Sequence, residues 1–370
     1  MSDNPDSKAP LAVHGLDLSY FTGKLEAYLR AKGIAYTLHE MTTRSFRDCG
    51  RATGVLQMPQ VQCADGTWLT DTTLIIRHFE RILPEPAITP RDPVVRFVAR
   101  LIEDFGDESL WRPALYYRWA FADDARLMSR RLARGMLRDV PLPFFLRRQI
   151  ILRRQQGLYL RRDGVTRATR HAIERLYFAM LAAMETALDD TPFVLGARPC
   201  EADFGLFGSM FRHFFSDPTP ARIMREVAPR TLAWVTRLWA LDPRDFADAP
   251  AMQDVPESCR PIVRLVAETH LPYMDANAQA TADGAKSVRF IDHGATFGTP
   301  VSPYRAWCLD ELQTEFSALD DADQKRAGDV IASERATSIL RQPRRALAFH
   351  PPSLPIKPGG HDRALDRNWV

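Results

Sequence analysis

Between residues 11 and 83 the hydrophobic pattern changes period repeatedly, and the order of those changes restricts the fold more than any other feature of the chain. A short apolar strand, Leu11-Ala12-Val13, runs into a loop that carries the Ser19 hydroxyl. A helix over 21–32 follows at once, with Phe21, Leu25, Tyr28 and Leu29 at helical spacing and Gly33 just past its end. Ile34, Tyr36 and Leu38 then alternate as a strand does. After an irregular or short helical connection over 41–56, Gln60–Cys63 and Thr67–Thr70 flank the tight-turn pair Asp65-Gly66. A closing helix over 72–83 places Leu74, Ile75, Phe79, Ile82 and Leu83 on one side.

Strand–helix–strand followed by strand–strand–helix is the order of a thioredoxin-like domain. Three local features in it bear on chemistry. Ser19 and the first N–H groups of its helix lie at the positive helix end, where a thiolate or carboxylate is stabilised. Met58-Pro59 precedes a strand, and Asp71-Thr72 opens the closing helix. Taken singly, each has a plain structural explanation: an N-cap serine, a proline starting an edge strand, a capping pair. Together and in this order they are far more specific.

Residues 11–83 and 93–240 resemble the glutathione transferase superfamily. Ser-Tyr-Phe-Thr-Gly-Lys at 19–24 is similar to that family's Ser-Pro-Tyr-x-x-Lys, Met58-Pro59 to its Val-Pro pair, and Asp71-Thr72 to its Glu-Ser pair. The resemblance implies that Ser19 contacts the glutathione thiol and that Pro59 is cis. It implies that Phe21, Met58, Pro59, Asp71 and Thr72 bind the rest of the peptide, with Asp71-Thr72 on the γ-glutamyl end. Lowering a thiol pKa by about two units takes about 2.7 kcal/mol of differential stabilisation. One charge-strengthened hydrogen bond plus a helix N-terminus supplies roughly that. Within the superfamily, Lys24–Arg30 looks like the subgroup of failed-axon-connections proteins and metaxins. Gln156–Arg161 falls where that subgroup has Gly-x-Gly-Arg-His and departs from it at two positions. Leu195–Asp203 resembles the family's Gly-x-x-Pro-Ser/Thr-x-Ala-Asp helix start, with Cys200 in place of the hydroxyl, so the capping box is expected to be looser.

The whole chain reads as an α+β thioredoxin-like domain followed by an all-α domain with a C-terminal extension. The expected divisions are a flexible 1–10, the thioredoxin-like 11–83, a Pro-rich linker 84–93 and a helical domain 94–282 with an insertion at 124–165. An extension of hairpin and helices follows over 283–335, then a Pro-rich tail over 336–370, extended or disordered. Trp111, Tyr116 and Tyr117, on the helix running from Val95 to Trp119, are candidates for a pocket for a hydrophobic electrophile, although aromatic stripes are more often core. The extension at 286–318 carries more apolar surface than a solvated tail tolerates. It must dock, and the helical domain's outer face, where it would only add stability, is preferred to the cleft mouth, where it would narrow the pocket and exclude water.

Residues 126–170 hold thirteen arginines against Asp139 and Asp163, interleaved with apolar residues. Such a basic amphipathic pair can meet an anionic membrane surface or an acidic partner, or be a helical insertion whose arginines are solvated or pair with acidic residues elsewhere in the chain. The overall net charge of +3 argues neither for nor against nucleic acid, but no stacking-aromatic motif accompanies the local positive charge, which argues against RNA. The five cysteines, widely spaced without C-x-x-C, give neither a disulfide framework nor a metal site. The polar, acidic Met1–Asp6 does not read as a signal peptide, and no apolar run approaches the roughly 20 residues that span a bilayer. A reduced cytoplasmic protein follows, with glutathione as co-substrate, no metal, and a homodimer by family resemblance. The expected activity is a glutathione transferase or a glutathione-dependent lyase or etherase. The alternative is a non-catalytic, metaxin-like binding or membrane-associated scaffold.

Overall fold

The computed structural model describes residues 10–357. Its first domain is a four-stranded sheet in the order β2-β1-β3-β4, formed by β1 (Leu11–Gly15), β2 (Tyr36–Glu40), β3 (Gln60–Gln62) and β4 (Trp68–Thr70). β1 runs parallel to β2 and antiparallel to β3, and β3 is antiparallel to β4. The helices are α1 (Tyr20–Ala31), α2 (Thr43–Thr53) and α3 (Thr72–Ile82). β1 alternates buried and half-buried positions. Val13, Val61 and Leu69 pack beneath Leu25, Leu29, Ile75 and Phe79. This is the thioredoxin-like order expected from the sequence, including the Asp65-Gly66 turn, in which Gly66 takes a positive φ of 84°.

A helical domain follows, made of α4 (Pro93–Glu108), α5 (Trp111–Ala120), α6 (Ala122–Arg134), α7 (Phe144–Leu152), α8 (Leu160–Arg162), α9 (Arg170–Ala187), α10 (Glu201–Ser209), α11 (Pro218–Val227), α12 (Pro229–Trp239), α13 (Arg260–Leu265) and α14 (Leu271–Ala282). A π-helical turn, Arg153–Tyr159, joins α7 to α8. Two details differ from the sequence reading. The long helix expected to reach Trp119 breaks at Ser109-Leu110 into α4 and α5. α11 begins at Pro218, in the stretch between the helices expected to end near 214 and to start near 229. Proline at the first helical position costs nothing, because that N–H has no helical partner.

The two domains meet along α1, which is buried on nearly every side. α4 and α10 cross at Gly106 and Gly205. A Cβ on Gly205 would come within 2.5 Å of the Glu103 Cα, so only glycine permits this approach. The Tyr20 hydroxyl donates to the Gly106 carbonyl, and Arg212 pairs with Glu26. Lys24, with no exposed surface, donates to Glu103 at 2.7 Å and Asp107 at 2.5 Å. Burial by itself would lower the Lys24 pKa, but the two carboxylates hold it above the ordinary range. Asp203 secures the start of α10 by accepting from Cys200 N–H at 3.0 Å, Val194 N–H at 3.0 Å and the Trp234 indole at 2.9 Å. Its half of the capping box is thus intact despite the cysteine.

The extension comprises the hairpin β5 (Ser287–Asp292) and β6 (Ala295–Pro300), then α15 (Pro303–Ser317), α16 (Asp321–Ile331) and α17 (Glu334–Leu340). His293 and Gly294 both take positive φ at the hairpin turn. Phe290 and Phe297 stack under Arg112, and Phe316 packs edge-on against Phe97. Asn277 on α14 holds the backbone of Ser302 with two bonds of 2.8 Å. The segment expected to be extended or disordered after 336 is otherwise within the described residues. α17 buries Ala336, Ile339 and Leu340, and Ile356 bridges Trp68 by two backbone bonds of 2.8 Å. Those few apolar side chains suffice because they have a docked surface to join. The end of that tail, 358–370, and residues 1–9 of the expected flexible N-terminus lie outside the described residues.

Candidate functional site

A cleft of about 380 Å³ lies between the two domains. One end is built by α1. The chain leaves β1, turns at Leu16–Leu18 and enters α1 with Ser19 as its N-cap. Ser19 Oγ accepts from the Thr22 N–H at 3.3 Å, and its own proton is left to donate into the cleft. The turn is held from across the domain interface. Arg118 donates to the Leu18 carbonyl at 2.8 Å while paired with Asp217 at 2.8 and 3.1 Å. The neighbouring hydroxyls serve other purposes: Tyr20 is bound to Gly106, and Thr22 Oγ1 accepts from Leu16 N–H. Of the hydroxyls on this turn, Ser19 is the one presented to the cleft.

The Met58-Pro59 peptide is cis, as the resemblance implied, and both residues line the same cleft. Among the described residues no backbone hydrogen bond engages Met58, so its N–H and C=O can pair with an extended peptide. Phe21 stacks on Trp111 at 6.0 Å between ring centroids. With Leu115, Trp119, Leu132 and Met136 they form an apolar wall.

The other end centres on Asp71, the N-cap of α3, which has a positive φ of 68°. Its Oδ1 accepts from Leu74 N–H at 3.2 Å, and its Oδ2 accepts from the Tyr304 hydroxyl at 2.7 Å. Burial raises the Asp71 pKa, opposed by those two bonds and by Lys24. Thr72 lies beside it, buried and also on the cleft lining. Glu108 accepts from Arg305 at 2.7 Å. Burial pushes the Glu108 pKa up and Arg305 opposes the shift. Tyr304 and Arg305 open α15, and Thr299–Ser302 also line the cleft. The extension therefore reaches the cleft as well as packing on α4 and α14, which corrects the preference for the outer face alone. The packing explains both: α15 fills the groove between α4 and α14, and that groove opens into the cleft.

The structure thus brings together Ser19, Phe21, Met58, Pro59, Asp71, Thr72 and Trp111. It does not bring Tyr116 and Tyr117 to them. Tyr116 points away and donates to Glu174 at 2.6 Å, while Tyr117 is packed among Phe121, Tyr177 and Phe214. Sequence reasoning missed Asp107, Glu108, Arg118, His213, Tyr304 and Arg305 on the lining. His213 is held neutral, its pKa lowered well below the usual value first by burial and then by Arg118. The insertion contributes Arg154, Gln155, Tyr159, Arg162 and Asp163. No cluster of His, Cys, Asp and Glu suited to a metal occurs among the described residues. No described helix is long and apolar enough to cross a membrane.

Comparison with known proteins agrees with the first domain. Several solved structures are similar at low identity. One is a beta-etherase from Sphingobium sp. strain SYK-6, at 20% identity and TM-score 0.46, covering 65% of this chain and 100% of that one. A glutathione S-transferase from Methylobacterium radiotolerans, in complex with glutathione sulfonate, is 18% identical with TM-score 0.39, covering 67% and 99%. FzlA from C. crescentus is 16% identical with TM-score 0.38, covering 68% and 98%. Among curated proteins none matches the chain. Residues 13–87 match the family model described as glutathione S-transferase, N-terminal domain, which is the stretch that supplies Ser19, Met58-Pro59 and Asp71-Thr72.

Proposed function

We propose that this chain binds glutathione and activates its thiol for attack on a hydrophobic electrophile, as a transferase or a glutathione-dependent lyase or etherase. The observation that supports it best is the position of Ser19. Its hydroxyl stands at the N-terminus of α1, on the lining of the cleft that also holds Met58-Pro59 and the Phe21–Trp111 wall. A sulfur placed there gains a hydrogen bond and the field of the helix, and both favour the thiolate. Met58 would pair with the peptide backbone, and Asp71 and Thr72 would hold the γ-glutamyl end. The apolar wall would take the electrophile and keep water from the sulfur. The reaction would be addition, substitution or ether or halide displacement.

A second reading, a non-catalytic scaffold of the same fold in the manner of the metaxin-like subgroup, draws on one observation. Asp71 already has two hydrogen-bond donors, one of them from the extension. Calorimetric titration with glutathione, combined with ultraviolet thiolate absorbance against pH, separates the two. The enzyme reading expects saturable binding and a bound thiol pKa below the free value. Absence of binding would favour the scaffold. The homodimer belongs to the same proposal, and light scattering that gives a mass of 42.0 kDa would count against it.

A further inference from the structure

Six of the nine exposed large hydrophobic side chains among the described residues fall between positions 127 and 158: Leu127, Leu142, Phe145, Leu146, Ile150 and Leu158. Phe145, Leu146 and Ile150 lie on one face of α7, Leu142 leads into it, and Phe145 is 64% exposed. The arginines of the same helix turn the other way. Arg147 donates to the Leu137 carbonyl at 2.9 Å and Arg148 to Ser129 Oγ at 3.1 Å. A helix at a water surface is arranged oppositely, with its apolar stripe toward the core.

Exposed guanidinium groups rim this ridge. Arg130, Arg134, Arg153 and Arg161 form no ion pair among the described residues. Arg134 lies 5.4 Å over the Phe144 ring, which places its charge at the start of the ridge, and Arg153 follows Ile150 by one helical turn. Residues 140–162 contain no acidic side chain. Around its apolar centre the ridge presents almost only hydrogen-bond donors, the guanidinium N–H groups, with the Gln149 amide as a mixed group, so it suits a facing surface made of acceptors. A lipid headgroup region needs only apolar insertion and positive charge.

We propose that the α6–α7 hairpin is a peripheral docking surface for anionic phospholipid bilayers. Phe145, Leu146 and Ile150 enter the headgroup–acyl boundary, and the surrounding arginines meet lipid phosphates. The surface is separate from Ser19 and Asp71, so the proposal stands whatever chemistry the cleft performs.

Flotation of the full chain with vesicles tests it. Vesicles of phosphatidylglycerol and phosphatidylcholine in equal parts should retain the protein, pure phosphatidylcholine should not, and raised salt should weaken retention. The Phe145→Trp variant should shift its emission to the blue when anionic vesicles are added. The double variant Phe145→Glu, Ile150→Glu, both at exposed positions, should lose at least tenfold in vesicle affinity with an unchanged melting curve. Equal retention of the double variant and the parent would overturn the proposal, as would no retention on anionic vesicles. Binding to polyglutamate without binding to vesicles would also overturn it and assign the face to an acidic protein. A dimer that the double variant turns into a monomer, with no vesicle binding by either, would overturn it in favour of a second copy of the chain.

Discussion

At the Ser19 end of the cleft the polar groups, Ser19 and the Met58-Pro59 peptide, come from a single stretch of chain, residues 16–59. Local caps and one arginine from across the interface hold them in place, and the helical domain supplies the apolar wall behind them except Phe21. The Asp71 end takes atoms from positions 71, 108, 304 and 305, and its central carboxylate is shared with a tyrosine 233 residues away. A local end can be built and read from short-range rules. An end assembled from distant segments depends on how the extension docks. If the chain binds glutathione as proposed, thiol activation and peptide capture would therefore be separable properties.

The largest expected effect comes from the residue that ties the two ends together. Lys24→Ala would leave Glu103 and Asp107 buried without their cation, a change that costs about 3–5 kcal/mol. Urea denaturation would measure it, and a loss below about 1 kcal/mol would show that the carboxylates find another partner or simply protonate. Next is Asp71→Ala, expected to weaken glutathione binding by about 1.5–3 kcal/mol, as for a charged hydrogen bond. Equal affinities by calorimetry would leave Asp71 only its capping role.

A pH series sharpens the same point. The proposed ammonium contact would need the Asp71 carboxylate, whose pKa burial raises. Affinity should therefore be full above that raised value and fall as pH drops through it, at a higher pH than an ordinary aspartate would give. In Asp71→Asn this acid limb should vanish. At the other end, Ser19→Ala should raise the pKa of bound glutathione by about one unit, or about 1.4 kcal/mol, with affinity little changed. An unchanged thiolate titration would move the role to the backbone N–H groups of α1. The smallest effect is expected for Tyr304→Phe. If the ammonium must compete with the tyrosine hydroxyl, removing that hydroxyl should tighten binding by about 1 kcal/mol. If binding weakens instead, the hydroxyl belongs to the peptide site.

The same contrast explains what the sequence disclosed. The local settings of Ser19, Pro59 and Asp71 were legible because caps, turns and period changes are written in neighbouring residues, and the resemblance is what implied that they share a site. Tyr116 and Tyr117 were misplaced because helical spacing shows that aromatic residues share a face without showing which neighbour that face meets. Here the neighbours are α9 and the π-helical turn Met210–Phe215 that follows α10, not the cleft. α11 escaped because its two prolines stand where proline is tolerated. Tyr304 was legible as an apolar residue that must dock, but nothing near position 304 names Asp71 as the partner of its hydroxyl. The helix at 334–340 has too few apolar positions to announce itself and is stable through what it packs on.

β4 is an edge strand whose outer backbone groups are taken up, at Trp68, by Ile356. That one bridge has a consequence for the order of events during synthesis. The first domain has all its own strands once residue 70 has emerged, yet the bridge to Ile356 cannot form until position 356 has been translated. In the interval the edge is open, and an open edge is a template for pairing with other chains. A ribosome-bound fragment that ends after the helical domain should therefore depend more heavily on chaperones than the finished protein does.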